Sequence, residues 1–198
     1  MGRSALSALI VATCLATADG VSAASQQPEL ELRITVRIDD KAGVQGAILK
    51  LAEARAAEVF AMSGVKVDWL EGTEANRRKL AAPYMILIMA EAPARLKAAM
   101  EQLGTDVMGQ GAPTIGRAYI YYDRVLQLRP IPPRDVVSTL GDVIAHELGH
   151  LILPAGHSRA GIMRPSVNMI SRRVETFTQE EAVQIREHVR RQIVTETR

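Results

Sequence analysis

Residues 146–157 constrain this chain more than any other stretch. They read His146-Glu147-Leu148-Gly149-His150-Leu151-Ile152-Leu153-Pro154-Ala155-Gly156-His157. On an α-helix, positions i and i+4 lie one turn apart on a single face. His146 and His150 therefore project toward one point. H-E-x-x-H on a helix is a zinc pattern, with nitrogen–metal distances of about 2.0–2.1 Å. Glu147 stands beside the first histidine and can lean into the same cleft. There it is placed to take a proton from a water activated by the metal.

A catalytic zinc site takes three protein ligands and keeps a fourth position open. His157 is the expected third. Pro154 lacks an N–H and its ring clashes with the preceding turn, so the helix is expected to stop before it. Gly156 is expected to take the positive φ of a sharp reversal, returning His157 to the metal. Three of the four histidines fall in this window, which chance seldom arranges. The fourth, His188, lies in a charged segment and is expected on the solvated surface. Gly149 costs a helix about 1 kcal/mol relative to alanine, and is expected to serve close packing of the active helix.

Downstream, Gly161-Ile162-Met163-Arg164-Pro165 has the composition of a tight turn. With it, the chain resembles the metzincin zinc endopeptidases, matrixin-like in kind, whose pattern is H-E-x-x-H-x-x-G-x-x-H followed by a turn carrying a methionine. The first five positions match. Leu153 stands where the family has glycine, and the third histidine comes one residue late. The resemblance implies zinc held by His146, His150 and His157, Glu147 as general base, and Met163 as a hydrophobic floor that does not bind the metal. It also implies an α+β, sandwich-like catalytic domain. Its parts are a twisted mixed sheet of about five strands, a packing helix, an active-site helix and a C-terminal helix.

The N-terminus reads as a signal peptide over residues 1–24. Arg3 supplies a positive start, Ala5 to Ala18 an apolar run too short to span a bilayer, and Val21-Ser22-Ala23-Ala24 small residues for cleavage. Residues 25–198 then form one domain, secreted or periplasmic. The single cysteine, Cys14, lies in the signal segment, so no disulfide and no cysteine latch over the metal are expected. Lipid anchoring at Cys14 is disfavoured by Thr13 before it. A net charge of +2 without a concentrated basic face gives no nucleic-acid partner. No later segment reaches the ~20 apolar residues of a membrane helix. A monomer acting on a peptide or protein is expected.

Alternation from Leu30 to Ile38 gives a first strand. Val44, Ala47, Ile48, Leu51 and Ala54 then follow helical spacing, with Gly64 as the stop. Residues 65–70 form a strand, 71–83 a polar loop, and the apolar run 84–89 a central strand whose Met85 and Met89 belong to the core. A short helix spans 93–103, an element the family does not lead one to expect. Residues 106–113 are an edge strand bordering the cleft or a plain loop. As a strand, they would let a substrate backbone pair with the edge and approach closely at Gly109 and Gly111. A further strand spans 117–124, and its tyrosines divide between core and surface.

Residues 126–134 are a stiff proline-rich connection, with Asp135 capping the active helix over 136–152. Asp142 is expected as an exposed helix aspartate, or as the partner orienting His146. Thr178 and Glu181 read as a capping box before a last helix buried through Ala182, Ile185 and Val189. Arg172, Arg173, Arg190 and Arg191 are read as solvated charge.

Three functional readings stay open. The first is a secreted zinc endopeptidase built as above. The second is a gluzincin-type peptidase with Glu175, Glu180 or Glu181 as third ligand. The third is a non-catalytic, zinc-stabilised envelope protein, against which the presence of a general base argues.

Overall fold

Leu32, Ile34, Val36 and Ile38 are all buried, the outcome that alternation with charged neighbours dictates. The strand they build is β1 (Arg33–Asp40). A computed structural model of the chain describes residues 31–70, 83–103, 107–127, 135–154, 156–165 and 174–196. The signal segment with Cys14, the loop at 71–82, the prolines at 130–133 and the arginines at 172–173 lie outside the described residues.

Five strands form one sheet in the order β2-β1-β3-β5-β4. These are β2 (Lys66–Leu70), β3 (Tyr84–Met89), β4 (Gly109–Ala112) and β5 (Arg117–Tyr121) beside β1. β1 pairs in parallel with β2 and β3, and β3 with β5; only β4 runs antiparallel, on β5. Parallel neighbours need a crossover, and α1 (Gly46–Ala61) supplies the first. Residues 106–113 thus contain a true edge strand. The strand begun at Arg117 stops at Tyr121, three residues before its expected end, and passes into α3 (Tyr122–Gln127).

At β3 and β5 apolar side chains pack on both faces of the sheet. Tyr84, Ile86 and Ile88 enter the main core with Ala118 and Ile120. The alternate positions Met89, Tyr119 and Tyr121 meet Ala92, Leu96 and Met100 on the other side. This gives the short helix α2 (Ala94–Leu103) a role: it caps the far face that an apolar central strand would otherwise expose.

α1 packs on the active helix α4 (Val136–Ile152), by a face that matches the expected one only at its start, where Val44 is buried and Ile48 packs against the core. Ala52, Ala56, Val59 and Phe60 are buried, whereas Ala47 and Ala54 are exposed and Leu51 keeps 58% of its surface. The cause lies on the partner helix. A Cβ on Gly141 would stand 2.6 Å from Arg55 Cβ and 2.9 Å from the Ala52 carbonyl oxygen. The backbones approach so closely that small residues make the contact. Within it, Arg55 Nε donates to Asp142 Oδ1 at 2.9 Å. Asp142 is 2% exposed; it is neither a surface aspartate nor the partner of His146.

The last helix, α5 (Gln179–Glu196), opens on a reciprocal capping box. Thr178 N donates to Glu181 Oε2 at 2.7 Å and Glu181 N to Thr178 Oγ1 at 3.3 Å. Ala182, Ile185 and Val189 are buried as their spacing implies, and Arg190 and Arg191 are exposed. His188 departs from expectation. It is half-buried, with Nε2 2.8 Å from Tyr84 Oη, which also accepts from Gln192 Nε2 at 2.7 Å. This contact ties α5 to β3, and burial pushes the Tyr84 hydroxyl up to about 12. Among the described residues, no helix is long and apolar enough to cross a membrane.

Candidate metal centre

Asp135 starts the active helix as its sequence position implies, accepting from Ser138 N at 2.7 Å. The helix ends at Ile152; Leu153 is extended (φ −83°, ψ 140°) and its N–H still reaches the Gly149 carbonyl at 2.9 Å. Pro154 follows and forbids another turn. The reversal is not made by a left-handed Gly156: the positive φ downstream belongs to Gly161, at 73°. A side chain at 161 would also stand 2.5 Å from the Thr176 carbonyl oxygen. Ser158 N→Met163 O (2.9 Å) and Ile162 N→Thr176 O (2.8 Å) hold the returning segment in place.

The result brings His157 to the helix. Ligand atoms of His146, His150 and His157 all lie within 4.8 Å of one another. His146 Nε2 and His150 Nε2 face each other at 3.0 Å, a spacing one ion between them could bridge. His146 Nδ1 is 2.7 Å from the Ile162 carbonyl oxygen. A carbonyl only accepts, so Nδ1 carries the proton and Nε2 keeps its lone pair. The orienting partner of His146 is thus a backbone carbonyl on the turn before Met163, a role no side-chain pattern could have announced.

Burial and the neighbouring histidines favour the neutral, metal-binding form of His146 and His150. His146 is lowered, chiefly by burial, and His150 is lowered to about 4 by burial and by His146 and His157. Glu147 is 5% exposed, its Oε2 has no hydrogen-bond partner among the described residues, and burial raises it to about 8. A buried, orphaned carboxylate oxygen beside three converging histidines fits a site completed by a cation and its water. Among the described residues the cluster contains histidines alone. Glu175 is engaged by Arg164 and Glu181 by the capping box, and neither they nor Glu180 join the cluster.

Small residues let this site close up. A Cβ on Gly149 would meet Met163 Sδ at 2.5 Å and Phe177 Cε1 at 3.0 Å. Met163 is fully buried there. β4 lies directly over the helix: a Cβ at Gly109 would stand 2.5 Å from Glu147 Oε1, and one at Gly111 2.6 Å from His150 Cβ. The room the two glycines leave is taken by Glu147 and His150, so their closest neighbour is the helix. Both still line the cleft, a cavity of about 300 Å³ that also contains the three histidines, Glu147 and Arg164. Arg164 entered the sequence reading only as a member of the turn.

No family model and no curated protein matches the sequence. Solved structures do. An archaemetzincin from Methanopyrus kandleri superposes with a TM-score of 0.50 at 15% identity, over 83% of this chain and 99% of that one. The fold is metzincin-like. A zinc-dependent peptidase from Methanocorpusculum labreanum aligns with a TM-score of 0.43 at 16% identity, over 81% of this chain and 99% of that one. Within the metzincin-like frame the mixed sheet, its antiparallel edge strand and the active helix occupy one continuous unit.

Proposed function

We propose that this chain is a secreted zinc-dependent endopeptidase. The observation that carries the reading is the convergence of His146, His150 and His157 beside the buried, unpartnered oxygen of Glu147. The three imidazoles would hold the ion, His146 through Nε2. A bound zinc ion acts as a Lewis acid and lowers the pKa of water beside it toward ~7. Glu147 takes the proton of the attacking water and hands it to the leaving amine. The ion's positive charge favours the carboxylate form that this first step needs. An extended substrate lies along β4, whose outer edge has backbone groups free of any described strand, and pairs through them. Met163 and Gly149 fix the floor, in the manner of a methionine turn. Secretion is supported by Arg3 and the apolar run 5–18.

The test is to purify residues 25–198, measure bound zinc, and follow hydrolysis of a mixed peptide library before chelation, after chelation and after zinc is restored. One ion per chain and activity that returns with zinc are expected. Activity indifferent to chelation would overturn the assignment.

A further inference from the structure

The residue after Met163 points to what the cleft selects. Arg164 lines the same cavity as the three histidines and Glu147. Its Nη2 donates to both oxygens of Glu175, at 2.9 and 3.1 Å. That pair fixes the guanidinium through one nitrogen. Nε is buried and closed to a ligand, but an arginine side chain offers five N–H donors in a rigid fork, and the terminal Nη groups are the ones that can meet one. The Arg164 side chain keeps 31% exposure, so it is accessible from the cleft rather than sealed in the core.

The remaining wall is mostly apolar, with Val107, Met108, Val143 and Pro165 beside the β4 backbone and Gln110. At about 300 Å³ the cavity is at the small end of ligand pockets, so a side chain beside the scissile bond has little choice of neighbours. A short aliphatic stem would lie on the apolar wall, and its end would meet Arg164. We propose that Arg164 is a specificity residue that recognises a substrate carboxylate next to the scissile bond. This rests on the peptidase reading and adds a substrate class to it. An Asp or Glu side chain and the peptide's own C-terminus both carry this chemistry. A neutral group there forgoes the charge-assisted hydrogen bonds that the exposed end of the guanidinium can donate, and sites built to hydrogen-bond a group discriminate strongly against its absence.

The experiment uses the zinc-loaded chain and three peptides that share one sequence. One has Glu beside the cleavage site and an amidated end. The second has Gln there and an amidated end. The third has Gln there as its C-terminal residue, with a free carboxylate. The Glu peptide, the free-carboxylate peptide or both are expected to exceed the amidated Gln peptide about ten- to hundredfold in kcat/KM. Which of them does so identifies the source of the carboxylate. Arg164→Gln is expected to erase the preference, and Arg164→Glu to shift it toward Lys. Zinc binding by both variants reports that the site is intact.

Equal cleavage of all three peptides by wild type overturns the inference, as does a preference that survives in Arg164→Gln. If none is cleaved, the peptidase reading fails separately. Calorimetric binding of the same peptides to Glu147→Gln protein then decides the role of Arg164, and equal affinities overturn it.

Discussion

Gly111→Ala is the sharpest probe of the arrangement of β4 over the active helix. The new Cβ would stand 2.6 Å from His150 Cβ, against the ~3.4 Å at which carbon contacts begin to be comfortable. His150 Cβ is bound to the helix backbone, so no rotamer change relieves the clash. Strand or helix must give by roughly 0.8 Å, and overpacking of this kind costs about 1–3 kcal/mol. For a domain of this size that lowers Tm by about 2–12 °C. The same displacement moves a proposed metal ligand, His150, so zinc affinity is expected to fall about 10–100-fold, as when a ligand's support is lost. Thermal melts of the chelated protein and zinc titration against a competing chelator measure the two effects separately. Gly156→Ala is the control: a Cβ there meets nothing within 4 Å, and a change within about 0.5 kcal/mol is expected. A Gly111→Ala protein with the melting point and zinc affinity of wild type would refute the close approach of strand and helix.

Three further outcomes follow from the same geometry. His157→Ala should weaken zinc binding by at least tenfold, while Glu175→Gln and Glu180→Gln leave it unchanged; equal affinity in His157→Ala would restore the glutamate-ligand alternative. Asp142→Ala removes the buried partner of Arg55 at the α1–α4 contact and leaves it with Glu58 at 4.0 Å, which should cost about 1–3 kcal/mol in denaturant unfolding, with no change to the three histidines. In the metal-free protein, Glu147 is raised from 4.5 to about 8, so the folded state binds the extra proton and this contribution to stability is lost as pH rises toward 8. His150, lowered from 6.5 to about 4, works in the opposite sense, adding stability as pH rises to about 6.5. Above pH 6.5 the Glu147 loss stands uncompensated, and chelated wild type should lose stability between pH 6.5 and 8 relative to chelated Glu147→Gln.

The elements whose reasons are local were legible in the sequence. The active helix runs from Val136 to Ile152 between a capping aspartate and a proline, and both signals act within one turn. The capping box at Thr178 is of the same kind. The histidine triad was legible because i, i+4 spacing puts two ligands on one face, and few other histidines compete for the third place. Contacts set by a partner element were not. The buried face of α1 depends on Gly141, 80 or more residues away in the chain, and periodicity within α1 does not register it. Asp142 reads as a surface residue until Arg55 is brought against it. His188 reads the same way until Tyr84 is placed beside it. The support of His146 by the Ile162 carbonyl leaves no side-chain trace. Gly109 and Gly111 were visible as an alternating pair, but their neighbours, Glu147 and His150, became known only from the packing of β4 on the helix.

The most direct test of a zinc peptidase built on this site is hydrolysis of a mixed peptide library by zinc-loaded Glu147→Ala beside wild type, with the zinc content of both measured. Wild type is expected to cleave, and the variant to keep its zinc and lose turnover. A variant that cleaves as fast as wild type, or a wild type that binds no zinc, would contradict it.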